Sequence, residues 1–98
     1  MTREQALVAI SSRAEALRAR GAASAFLFGS TARDESRRDS DIDVFIETVP
    51  GRKFSLIDLA GIRNFLVTEL GVEVDVTTRS SLHPELRGEI EREAIRAF

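Results

Sequence analysis

Two short segments of strict alternation constrain this chain more than anything else in it. Residues 41 to 47, DIDVFIE, set Ile42, Val44 and Ile46 on one side of an extended backbone and Asp41, Asp43, Phe45 and Glu47 on the other, because successive side chains of a strand point to opposite faces. Residues 72 to 77, VEVDVT, repeat the pattern, with Val72, Val74 and Val76 opposite Glu73, Asp75 and Thr77. Between them, Leu56, Leu59, Ile62, Leu66 and Leu70 recur at helical spacing from Ser55 to a closing Gly71. A connection that holds a whole helix suits a right-handed parallel crossover. Two neighbouring strands then share one apolar face, against the helix, and one acidic face.

The remaining segments alternate in the same way. Thr2 with Gln5 opens a helix as a capping box, and Leu7, Ile10, Ala14 and Leu17 carry it to Gly21. Residues 25 to 28, AFLF, are too short and too continuously apolar for anything but a buried strand. Ser30 or Thr31 opens a short helix over STARDES, and the tail from Pro84, with Leu86, Ile90, Ala94 and Phe98, reads as a last helix. The expected fold is α/β (α+β), in the order α-β-α-β-α-β-α, with a small three-stranded mixed sheet packed by helices. The short link between the first two strands suits an antiparallel pair.

With 98 residues the chain is expected to be one domain over 1–98. At that size roughly 60 to 70% of the unfolded surface is buried, which leaves little for a deep cavity, so a site is shallow or completed by a second chain. The net charge of −2 argues against a broad nucleic-acid or membrane footprint, with Arg37 and Arg38 as a local basic spot. The absence of cysteine excludes disulfides and thiolate chemistry. No apolar run spans a bilayer and MTREQALVAI lacks a signal-peptide pattern, so a cytoplasmic location is expected.

Acids on an alternating strand are commonly no more than its solvated face. Four of them, Asp41, Asp43, Glu73 and Asp75, converging on one face require more, since like charges opposite one another on a sheet are destabilising. A hard divalent cation answers that repulsion, and Mg²⁺ takes one or two carboxylates while keeping positions for water and phosphate oxygens. Glu47 reads as merely solvated, and Phe45, on the acidic face, as a candidate lining residue. Gly29 and Ser30, directly after a buried strand, permit a tight turn whose backbone N–H groups can meet a phosphate. His83, alone and before Pro84, reads as a helix-start residue. Neither a P-loop nor a dinucleotide-binding glycine motif is present.

Gly29-Ser30, ten residues, then Asp41-Ile42-Asp43 resembles the GSx10DxD signature of the minimal nucleotidyltransferases, the small branch of the DNA-polymerase-beta-like superfamily. Counting Ser40 with the four letters of that signature, Gly, Ser, Ser, Asp and Asp at five fixed positions arise by chance in about one chain in ten thousand, so the combination outweighs the surface-turn reading. It extends over FLFGSTAR, SDIDVFIE, VEVDVT and the closing HPELRGEIEREAI. It implies transfer of AMP from ATP to a hydroxyl with two Mg²⁺ ions. Asp41, Asp43 and Asp75 match its metal-binding and catalytic carboxylates, with Glu73 the competitor for the third place, and Gly29 and Ser30 match its triphosphate-binding turn. Arg33 either contacts phosphate or pairs with an acid such as Asp39. Asp34 departs from the glycine frequent at its position, which matters if that position needs positive φ. The resemblance further implies a HEPN-type toxin as partner, with a toxin tyrosine as acceptor and this chain as antitoxin. A binding module acting by contact alone, or transfer to a small molecule, are the alternatives.

Overall fold

The computed structural model describes residues 1–35 and 41–98; Ser36, Arg37, Arg38, Asp39 and Ser40 lie outside the described residues. Its elements are α1 (Arg3–Ser11), α2 (Ala14–Ala19), β1 (Ala22–Phe28), α3 (Gly29–Ala32), β2 (Ile42–Thr48), α4 (Leu56–Leu70), β3 (Val74–Thr78), a 3-10 turn at Arg79–Ser81, α5 (Pro84–Glu93) and β4 (Ile95–Arg96). The strands form one mixed sheet in the order β3-β2-β1-β4, with β1 antiparallel to β2 and β4, and β2 parallel to β3. Both expected strand relations are present.

Helix boundaries follow local hydrogen bonding. The Thr2 hydroxyl accepts from the Gln5 N–H while the Gln5 side chain accepts from the Thr2 N–H, which closes the capping box of α1. The Ser55 hydroxyl and the Asp58 carboxylate do the same for α4, and Gly71 ends it at φ +71°. Those bonds hold the Asp58 carboxyl below its ordinary range. His83 caps α5, its Nδ1 accepting from the Glu85 N–H at 3.2 Å.

Four expectations change. The helix expected over STARDES from Ser30 or Thr31 is instead the four residues Gly29–Ala32, which begin at the glycine and have no side-chain cap bond. The first helix is two, because the Ser11 and Ser12 hydroxyls donate to the carbonyls of Val8 and Ala9, local bonds that compete with helix continuation. Leu56 does not join the stripe of α4 but is 83% exposed, while Ile62 and Leu66 are buried. The tail does not stay helical to Phe98: Ala94 turns extended at ψ 143°, Ile95 pairs with Leu27 and Arg96 with Phe26, and the Ala97 N–H reaches the Ala25 carbonyl at 2.8 Å. The physical reason is the free edge of β1, whose backbone groups need partners. A four-stranded sheet replaces the expected three.

The sheet separates two environments. Ala25, Leu27, Ile42, Val44, Ile46 and Val74 turn toward Ala6, Ile10, Leu17, Ile62 and Leu66 of the helices and make the core. The opposite face carries Phe28, Asp43 and Asp75 at one end, Phe26 and Phe45 in the middle, and Ser24 and Glu47 beyond. Leu66, 1% exposed, is expected to cost about 2–5 kcal/mol of stability when changed to alanine. Leu56→Ala is expected to stay within about 0.5 kcal/mol; denaturant unfolding of the two variants beside the parent chain checks both.

Candidate active site

The turn after β1 is where the chain brings its chemistry together. Gly29 sits at φ +74°, and a Cβ built there would collide with Asp43 Oδ2. Glycine is therefore required twice, for a backbone region that L side chains disfavour and for the approach of a carboxylate. Asp43 comes so near because β2 pairs with β1 in a register that opposes it to Phe28. On its other side the parallel register places it beside Asp75 of β3.

Electrostatics mark Asp43 as the centre of the cluster. Its carboxyl is pushed above the ordinary aspartate range, first by burial, then by the charges of Asp75 and Asp41; Arg33 opposes the shift and Glu93 adds to it. Asp41, just before β2, and Asp75 are exposed. Glu73 has a different environment: its carboxylate pairs with Arg63 of α4 at 3.2 Å, and its carbonyl accepts from the Ile42 N–H at 3.0 Å.

Ser30 and Arg33 belong to the short turn of helix that Gly29 begins and to its C-terminal cap. The Ser30 carbonyl accepts from the Glu35 N–H at 2.8 Å, which bends the chain back over the turn. Asp34 has φ +59°, so the position where glycine is frequent does require left-handed backbone. Aspartate bears this better than most residues, and its Oδ1 also accepts from the Arg3 N–H at 3.4 Å. Arg33 reaches Glu35 at 3.1 Å and Glu93 at 3.0 Å, and the bonds to Glu35 first and Glu93 second raise its pKa further. Asp39, its expected acid partner, lies outside the described residues.

Glu93 escaped the sequence reading, since a lone acid late in an acidic helix carries no motif. Two other expectations on this face are corrected. Phe45 does not line the surface: it is fully buried, stacked on Phe26 at 4.8 Å with Arg79 above both rings. Glu47 is not merely solvated, since it accepts from the Ser24 hydroxyl at 2.9 Å and lies 3.7 Å from Arg79 Nη1. The aromatic pair is a floor, made where apolar side chains of β1 and β2 meet across the register.

Among the described residues, no three acidic or histidine side chains form a ready-made metal cage. Asp43 and Asp75 side by side, with Asp41 in electrostatic reach, are hard oxygen donors whose mutual repulsion a cation relieves. They fit Mg²⁺, which needs only one or two protein carboxylates and completes its shell with water and phosphate oxygens. A cleft of about 230 Å³ lined by Glu47, Thr78, Arg79 and Arg87 opens at the opposite ends of β2 and β3. The carboxylates stand apart from it.

Because folding raises the Asp43 pKa, the native state holds that proton to higher pH than the unfolded chain does. Stability from this group is then present at low pH and lost as pH rises through the raised value. In chelator-containing buffer, Asp43→Asn is expected to melt a few degrees higher than the parent at pH 7, about 1 kcal/mol being worth roughly 4–8 °C at this size, with the gap closing toward pH 4. Gly29→Ala is expected to lower the melting temperature, and the same Asp43→Asn change, which leaves the crowding but removes the charge, is expected to restore only part of the loss.

Comparisons with known proteins identify the family of this chain. The family description "Nucleotidyltransferase domain" matches residues 10–97. A Methanocaldococcus jannaschii protein named "Putative protein adenylyltransferase" is 44% identical over 75 residues, covering 76% of this chain and 78% of that protein. A solved structure described as a "putative minimal nucleotidyltransferase" superposes with a TM-score of 0.73 at 37% identity, covering 97% of this chain and 95% of the other. A chain of the solved structure of a tri-AMPylated HEPN toxin from Shewanella oneidensis in complex with MNT antitoxin shares the fold, with a TM-score of 0.64 and 18% identity over 90% of this chain and 68% of the matched one. The glycine turn, the paired aspartates and the match over nearly the whole sequence place this chain in the nucleotidyltransferase domain family, as an enzyme of that class.

Proposed function

We propose that this protein is a Mg²⁺-dependent adenylyltransferase that moves AMP from ATP onto a tyrosine hydroxyl of a HEPN-type toxin, and so acts as its antitoxin. The observation that carries the reading is Asp43, half-buried, pressed against the Gly29 turn and in register with Asp75. A phosphate-binding turn and a carboxylate pair so close together serve one substrate that carries both phosphates and a cation. The names borne by the relatives, an adenylyltransferase and an antitoxin beside an AMPylated toxin, support AMP and a protein acceptor.

In this reading Gly29 and Ser30 receive the triphosphate and Arg33 contacts it. Asp41 and Asp43 would hold the nucleotide's cations with help from Asp75, and Asp75 takes the proton of the attacking hydroxyl. The acceptor oxygen bonds to the α-phosphorus as the bond to the bridging oxygen breaks, and pyrophosphate leaves. Bound Mg²⁺ supplies charge neutralisation at the attacking and leaving oxygens. The open acidic face suits an acceptor presented on another protein, which brings its own walls to the reaction.

The test is incubation of this chain with its HEPN-type partner, ATP and Mg²⁺, followed by intact-mass measurement. An AMP adduct on the partner is expected, lost with chelator and reduced on the order of 10²-fold or more in the Asp41→Asn, Asp43→Asn double variant. No adduct, together with undiminished neutralisation by the double variant, would replace the enzyme with a module acting by contact.

A further inference from the structure

We infer that Glu93 is a positioning residue for the nucleotide, fastening the Gly29 turn and the Arg33 guanidinium to each other from the far end of the chain; the inference rests on the function proposed above. The Glu93 Oε1 accepts from the Gly29 N–H at 3.2 Å and from Arg33 Nη1 at 3.2 Å, and its Oε2 accepts from the same Nη1 at 3.0 Å. One carboxylate thus bridges the turn assigned to the phosphates and the cation assigned to contact them, across more than half of the sequence.

The support is held by the sheet. No residue of α5 is buried, so that helix has little packing of its own to fix its last side chain. Two residues after Glu93, however, Ile95 pairs with Leu27 of β1, and β1 runs directly into Gly29. Glu93 and the turn it grips are therefore tied to one strand. The β4 segment, which has no contact with the carboxylates in the sheet register, acquires a purpose in setting this distance.

The charge of Glu93 comes at an electrostatic cost. It adds to the repulsion that already raises the Asp43 carboxyl. Among the described residues, the bonds that offset this repulsion come from Arg33 and the Gly29 N–H. Arginine left free loses rotational freedom when it binds, of which pre-alignment removes a part. The guanidinium has five N–H donors; Glu93 uses Nη1 and Glu35 uses Nε, so the alignment does not require Nη2.

A carboxylate on these donors admits an opposite role, as a competitor that phosphate must displace, and the sign of the effect separates the two. The experiment measures binding of a non-hydrolysable ATP analogue with Mg²⁺ by calorimetry, together with KM for ATP, kcat and thermal midpoint, on the full chain and its partner. Glu93→Ala is expected to weaken analogue binding and raise KM about tenfold, the order typical of lost supporting hydrogen bonds, with a smaller effect on kcat. Glu93→Gln, whose amide oxygen still accepts from Gly29 and Arg33, is expected to recover most of the loss. Glu93→Ala added to Arg33→Ala is expected to weaken binding little further. Tighter binding in Glu93→Ala, a change of twofold or less, no recovery in Glu93→Gln, or full additivity with Arg33→Ala would each overturn the inference. Failure of the parent chain to bind the analogue would instead overturn the proposed function beneath it.

Discussion

The parallel pairing of β2 with β3 sets Asp43 beside Asp75, and much of the molecule is arranged around tolerating that pair. Two carboxylates at neighbouring positions of a sheet repel, and burial of Asp43 sharpens the repulsion. The fold accepts it because everything beneath is apolar and well anchored: Ile42, Val44 and Ile46 of the same strand are buried to 1% exposure or less. A one-residue slip in register would exchange that core for the acids, so the hydrophobic face enforces the electrostatic strain on the other.

The acidic face is itself divided. Around Asp43 and Asp75 it is polar and open, whereas a residue or two further along the strands Phe26 and Phe45 stack under Arg79 and close the surface. Glu47, held by Ser24 and near Arg79, neutralises that arginine. The arginine lid over the rings keeps its charge occupied away from the carboxylates. The clustered carboxylates are thereby confined to one end of the sheet, beside the Gly29 turn.

Much of this was legible beforehand, and the misses have definite causes. Alternation exposed β2 and β3, and the glycine, serine and aspartate spacing marked one site. Alternation could not say that Phe45 would be covered, because coverage comes from Phe26 and Arg79 on other elements. The i, i+4 pattern of the tail suited a helix as far as Glu93, but the unpaired edge of β1 lies outside any local pattern and drew Ile95 into the sheet. Glu47 and Glu73 looked alike as strand acids until their partners, Ser24 and Arg63, distinguished them.

By itself the sequence determined the apolar and acidic faces of β2 and β3, the capped starts of α1 and α4, and the end of α4 at Gly71. Those properties reside in periodicity and in short-range hydrogen bonding, which are written in adjacent residues. Tertiary structure alone decided that Asp43 would meet Asp75, that Arg33 would bind Glu93, and that a fourth strand would tie that acid to the turn. Each of these depends on sheet register and edge pairing between segments remote in the chain, where the requirement to satisfy backbone groups and bury one face selects among partners that look equivalent in sequence.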